Sequence, residues 1–525
     1  MTTRRQYIKH VFAGGWATDL GPSSNVGISQ GGIVALPFLV DAKNVQYEFD
    51  GGPHKMGGTT KLNSVALESG AAIRGLYDYW ISGSGGSSTQ HRIVYVNDSI
   101  YKDDGNGTFA QIKSGLEAGK VANFSTFDDL LIIATSSTTD VPMSWDGTTF
   151  QNLAGSPPNF AFSVEHKNRQ WAAGVASTPS TLYYSAFVNP EDWTGQGSGS
   201  ILISPDDGDR IMAIASYKNE LWVFKGPYRG SIHRIFGSSP TGSDPFGRAT
   251  FVDGLGATGA NSLFTFRDDL AFVCLDGTVR SLQATAAFGD FNEATLSLPI
   301  TNWIRDHVNF GRLNQAGAVN IPNRGYGLFS LAIDGATENN AILYMDYRFE
   351  PVRWALWDAI DAISIARVVD SGASNGGIAM IGGDDGFVRK TDQPTRSIDG
   401  STAISAVVTT PFLDYGDAVG MKTISAASLG VAPKNNGDVT LGWQGDDRAQ
   451  QTIALNQDAG GALDSFVLGT DVLGGARFVD RFVSLEEGGE FRAIQYQVTN
   501  STNNEDVEIH NIGAALESDA WSLEN

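Results

Sequence analysis

The sequence predicts an all-β protein: a β-propeller of about six to eight blades over residues 66–400, then an acidic β-sandwich over 401–525. Three observations carry this. A unit of polar turn and short apolar strand recurs along the chain, glycine is abundant and spread over its whole length, and the charge pattern changes beyond about residue 400.

The recurrence is plainest in one pair. "TFDDLLIIATSS" from Thr126 and "TFRDDLAFVCLDG" from Thr265 share the turn, the apolar run and a later Asp-Gly. Strands of this kind begin near Ile93, Leu130, Gln170, Leu221, Leu270, Tyr326 and Ile378, in steps of 37 to 56 residues. Several short strands per unit at such a spacing mark a propeller blade. A four-stranded sheet with two apolar faces is stable only when neighbours cover both. Unrelated hairpins in two stacked sandwiches are the alternative. A WD-repeat propeller fits less well, since "SWDG" (Ser144–Gly147) stands alone; it approaches the structural Asp-box of sialidase propellers but is one residue short.

Three segments fall outside the blades. Residues 1–65 read as extended pieces that form a platform or close the propeller. Residues 301–316 hold the best short helix, with Ile304 and Val308 four apart. Beyond residue 400, "ISAVVTTPFLDYG", "DVTLGWQG", "ARFVDRFVSL", "FRAIQYQVTN" and "VEIHNIGAAL" read as sandwich strands between Gly, Asn and Asp turns.

With 36 Lys and Arg against 58 Asp and Glu, the net charge is −22. That argues against gripping nucleic acid through its phosphates. Ser401–Asn525 alone holds 18 acidic and 6 basic residues, which marks it as a separate unit. The sole cysteine, Cys274, sits in "LAFVCL" and reads as a core residue. The opening "MTTRRQYIKHVFAGGW" is a poor signal peptide, and no apolar run is long enough to span a bilayer. A soluble protein made in a reducing cytoplasm is expected.

Chemistry-bearing motifs are few. The seven histidines are scattered, with none at zinc-ligand spacing. "GATGA" near Gly256 lacks the lysine of a phosphate loop, and there is no Gly-x-Ser-x-Gly elbow. "YKDDGNGTF" (Tyr101–Phe109) and "SPDDGDR" (Ser204–Arg210) offer carboxylates but miss the calcium-loop pattern, so they read as hairpin turns. Trp193, Trp354 and Trp357 could stack on sugars, although packing between blades is the better reading. No catalytic, cofactor-binding or metal-ligating residue is assigned, no cofactor is implied, and an enzyme is not expected.

Several stretches resemble the β-propeller tail nozzle or tail-hub proteins of short-tailed bacteriophages. These are "LPFLVDAKNVQYEFDGGPHKMGGTTKL" (Leu36–Leu62), "GSPPNFAFSVEHKNRQWAAG" (Gly155–Gly174), "LYYSAFVNPEDW" (Leu182–Trp193), "DGDRIMAIASYKNELWVFKGPYRGSIHRIFG" (Asp207–Gly237) and "LDYGDAVGMKTI" (Leu413–Ile424), with the closing "FRAIQYQVTN" and "VEIHNIG". The resemblance implies a structural part of the virion tail, assembled in the host cytoplasm. Such proteins form a ring, usually a hexamer, that continues and gates the DNA ejection channel below the head-to-tail adaptor and carries fibres or spikes. DNA would pass through without specific binding, and an acidic lumen would suit that passage because it repels phosphates. Blade-edge loops such as Gly237–Arg248 are candidates for contact between subunits. The alternative is a carbohydrate-binding or glycan-cleaving propeller for host recognition, which a cluster of Arg, Glu and Tyr at one propeller mouth would favour. A secreted bacterial adhesin is a third reading, disfavoured by the weak signal region.

Overall fold

The computed structural model describes residues 4–12, 14–19, 37–47, 51–83, 86–288, 294–370, 377–415, 419–434, 438–446, 449–455, 479–484 and 490–518. Its N-terminal segment contributes five strands: β1 (Arg4–Val11), β2 (Asp41–Lys43), β3 (Val45–Tyr47), β4 (Pro53–Lys55) and β5 (Gly58–Lys61). Seven small sheets then follow in chain order as propeller blades. Their second strands are Ser88–Val96, Leu130–Thr135, Arg169–Ala173, Glu220–Gly226, Asp269–Val273, Tyr326–Leu331 and Gly377–Gly382. Each covers one of the seven strand starts found in the sequence.

Turn chemistry explains why the unit repeats. In blades 2, 3 and 4 the first and second strands are joined by two residues, both at positive φ: Asp128-Asp129, Lys167-Asn168 and Lys218-Asn219. That backbone twist matches the twist of paired strands, and Asp and Asn tolerate it better than most residues. Among the described residues blade 5 has three strands, ending at Val279–Ser281. The helix Thr301–His307 and the following 3-10 turn Phe310–Gln315 lie between blades 5 and 6.

Apolar seams between successive blades close the circle. Tyr79 and Ile93 meet Leu131 and Trp145 between blades 1 and 2, and Phe224 meets Phe272 between blades 4 and 5. The last seam joins Val368 and Met380 of blade 7 to Ile73 and Val94 of blade 1. Blade 7 obtains its fourth strand from the start of the chain, because β5 pairs with Val388–Gln393. Part of residues 1–65 thus lies inside the propeller.

The sandwich is joined to the propeller rather than appended. β2 runs parallel to the outer strand of blade 6 at Lys43 and Leu356, and pairs on its other side with Ala406–Thr409. Blade 6 and one sandwich sheet therefore form a single nine-stranded sheet. The second sheet carries β3 and β4 beside the long strands Asp506–Ser518 and Lys422–Lys434, with β1 also paired to Asp506–Ser518. One core runs through both units, from Phe329 and Trp354 in blade 6 to Leu441, Tyr496 and Ile512 in the sandwich. Of the expected strand "ARFVDRFVSL", only residues 479–484 are among those described.

The seam contains a carboxyl group that titrates off its usual range. Burial, opposed by Lys43 and reinforced by Asp358, raises Asp41 to about 6. A carboxyl with a raised folded-state pKa holds its proton more tightly when folded. Its contribution is complete below about pH 4 and is lost as pH rises through about 6. Asp41→Asn is therefore expected to flatten the pH dependence of the urea midpoint between pH 4 and 6. It should also raise stability at pH 7 by about 1–2 kcal/mol, discounted for the partly open side chain.

Candidate functional site

The blades' first strands surround the propeller axis, and polar and apolar side chains together line what they enclose. Because strands alternate in direction, the first-to-second turns share one face. The second-to-third turns and the links between blades share the other. Two cavities lie on the axis, of about 310 and 560 Å³.

They meet at a crossing. Asn123, entering blade 2, donates through Nδ2 to Oδ1 of Asn261, entering blade 5 (3.1 Å), and accepts from the amide of Ser163 (3.1 Å). Both asparagines line both cavities. The axis is thereby bridged from one side to the other.

The smaller cavity holds the charged groups. Arg74 of blade 1 makes a two-pronged bond to Glu338 of blade 6 (2.8 and 2.7 Å). Asp78 accepts from Gln90 Nε2 (2.7 Å), from the amide of Val369 (2.8 Å) and from Trp80 Nε1 (3.1 Å). Tyr77 stacks on Phe124 and bonds to Thr126 Oγ1 (3.0 Å), and burial raises its phenol. Arg, Glu and Tyr thus converge at the axis, with the Arg and Glu closed on one another.

The larger cavity opens on the face of the inter-blade links. Asn159, Arg210, Thr258 and Gln315 line it, and Thr258 belongs to the "GATGA" stretch. Thr258 and Arg210 fall in stretches already weighed in the sequence, "GATGA" and "SPDDGDR", yet none of the four was assigned to a site, because isolated polar residues in short loops form no recognisable spacing.

The carboxylates, tryptophans and cysteine weighed in the sequence are placed elsewhere. Asp103 is fully buried against Arg92 (3.0 Å), and Asp104 is bonded to His91 and Lys102. Asp207 pairs with Lys225 (2.7 Å). Asp146 caps its own turn, accepting from the amides of Thr148 and Thr149. Trp193, Trp354 and Trp357 are buried in blade packing. Cys274 is buried as well, which pushes its thiol up to about 11. Among the described residues, no group of three His, Cys, Asp or Glu side chains is placed to hold a metal ion.

No family model and no curated protein matches the chain. Among solved structures, it is similar to YCF48 bound to D1 peptide, at 12% identity and a TM-score of 0.36, over 62% of this chain and 94% of that one. It is also similar to an exo-β-1,3-galactanase from Phanerochaete chrysosporium with β-1,3-galactotriose, at 9% identity and a TM-score of 0.28, over 88% of this chain and 100% of that one. A further match is a glycoside hydrolase at 9% identity and a TM-score of 0.24, over 86% and 100%. The recurrence of glycoside hydrolases corrects the expectation that an enzyme is excluded, and that expectation is withdrawn. Likenesses this distant assign no reaction.

Proposed function

We propose that the chain is a structural component of a short-tailed phage virion, a tail nozzle or hub that assembles as a ring around the DNA exit path. The observation that supports it most is the weave of Leu36–Leu62, the first stretch resembling that family. Its described part forms β2 to β5, which join the sandwich to blade 6 and complete blade 7. Propeller and sandwich so joined share one sheet and one core, which suits a ring subunit under internal pressure. The hydrogen bond that bridges the axis favours an exit path among subunits rather than through a propeller. Part of the −22 charge would face that lumen and keep phosphates from adhering.

Density-gradient fractionation of an infected-cell lysate, with antibody labelling of the positive band, tests this reading. The expected result is label at the tail vertex, at about six copies or a multiple per particle, as a closed ring of identical subunits requires. Protein confined to the soluble fraction or the medium would overturn it.

A second reading, glycan binding or cleavage in host recognition, is favoured by one observation. Arg74, Glu338 and Tyr77 meet at the propeller axis.

A further inference from the structure

The larger axial cavity has one cation and no carboxylate. The chain carries 58 Asp and Glu, yet among the described residues none lines this cavity, and Arg210 is its one charged side chain. Apolar surface predominates in the rest of the wall, to which Phe162, Val175, Ile211, Met212 and Ala316 contribute. At about 560 Å³ the cavity falls within the range of small-molecule pockets, roughly 300–1,000 Å³. We propose that it binds a small amphiphilic anion, an apolar body ending in a carboxylate. This function is separate from both readings above.

The wall's polar side chains are largely turned to the protein. Asn123 and Asn261 bond to one another (3.1 Å), and Asn159 donates its Nδ2 to the carbonyl of Thr138 (3.0 Å). Ser136 Oγ accepts from the amide of Val121 (3.0 Å), and Ser137 Oγ donates to Glu117 (2.6 Å). What these bonds leave for a ligand is mainly apolar surface, which favours a body that gains by leaving water.

Arg210 is the group left unspent. Its Nε contacts Met212 Sδ (3.2 Å), which lays the side chain along another residue of the wall. Among the described residues it makes no ion pair. Two carboxylates close to it in the chain are engaged elsewhere. Asp209 accepts from the amides of Tyr228 (2.8 Å), Arg229 (3.1 Å) and Gly230 (2.7 Å), and Asp207 holds Lys225 (2.7 Å). Arg210 is also exposed, whereas Phe162, Val175 and Met212 are buried. The charge therefore stands toward solvent and the apolar wall lies inward. A carboxylate at the rim meets the forked donors of the guanidinium while its tail is covered. A cationic head would face a like charge, and a small polar anion would gain nothing from the wall.

Isothermal titration of the full chain tests the inference, with three probes kept below their micelle concentrations. Decanoate has the anion and the tail, decyltrimethylammonium the tail with a cation, and acetate the anion alone. The expected result is binding of decanoate only. Arg210→Gln should weaken it about tenfold with the melting temperature unchanged, a loss equivalent to about 1.4 kcal/mol. Ala176→Trp, at an exposed position of the lining, should fill the cavity and weaken it by at least as much. Equal binding of decanoate and decyltrimethylammonium, indifferent to Arg210→Gln, would overturn the assignment of an anion. Decanoate binding unaffected by both substitutions would place the ligand elsewhere and overturn the assignment of this cavity. No binding of decanoate would overturn the inference outright, and none of these outcomes bears on the nozzle or glycan readings.

Discussion

Lys225→Ala is expected to destabilise the protein by about 3–5 kcal/mol, the usual cost of breaking a buried ion pair by removing one partner. The ammonium of Lys225 is fully shielded from solvent and bonds to both carboxylate oxygens of Asp207 (2.7 Å each). It also donates to the carbonyls of Ile203 (2.9 Å) and Ser204 (2.6 Å) and to Ser180 Oγ (3.2 Å). These partners come from blade 3 and the link leading into blade 4, so one side chain fastens two blades. Removing it strands two carbonyls and a carboxylate at once. Asp207 is 21% exposed and can recover some water, which pulls the cost toward the lower end. Urea unfolding measures it. Lys225→Met combined with Asp207→Asn should recover part of the loss, since the uncompensated charge is then gone. A midpoint unchanged in Lys225→Ala would show that this cluster contributes nothing net.

The second large effect is expected at Gly58, in the strand that completes blade 7. A Cβ there would lie 2.1 Å from the carbonyl oxygen of Thr395 and 2.4 Å from that of Ser397. Both obstacles are backbone, so no rotamer change relieves them. Gly58→Val should cost more than about 3 kcal/mol, as overpacking against fixed atoms does at its upper end. It should also expose the edge of Val388–Gln393, which limited proteolysis would detect as early cleavage in blade 7. The control is Lys61→Ala on the same strand. That residue sits over the Phe387 ring at 3.6 Å with its side chain 36% exposed, and its loss should cost about 1 kcal/mol or less. Wild-type stability in Gly58→Val would mean that β5 does not close the blade.

The blade count was legible because of where the second strands lie. Leu131, Ile132 and Ile133 are all fully buried. A strand covered on both faces reads as an unbroken apolar run, and each such run stands behind a polar turn. The outer strands gave no comparable signal. Phe109–Lys113 and Phe150–Asn152 are short and half-exposed, with polar residues on both faces. Nor could β5 be recognised as a blade strand: "GTTK" has no periodicity, and its partner lies more than 300 residues away. The axial site was hidden for a related reason. Asn123 and Asn261 meet only once the blades have closed, and a single amide in a turn is ordinary anywhere in a chain. Charge was the better guide to the C-terminal unit, although not to how closely blade 6 is fused with it.

The pairing of β1 with residues 511–518 has a consequence for synthesis. At about 5–20 residues per second, β1 leaves the ribosome roughly half a minute to two minutes before its partner. Throughout that interval its hydrogen-bonding edges are open to any other nascent chain, a known route to mispairing. Where many copies are translated on one messenger, β1 is thus the segment most in need of a chaperone.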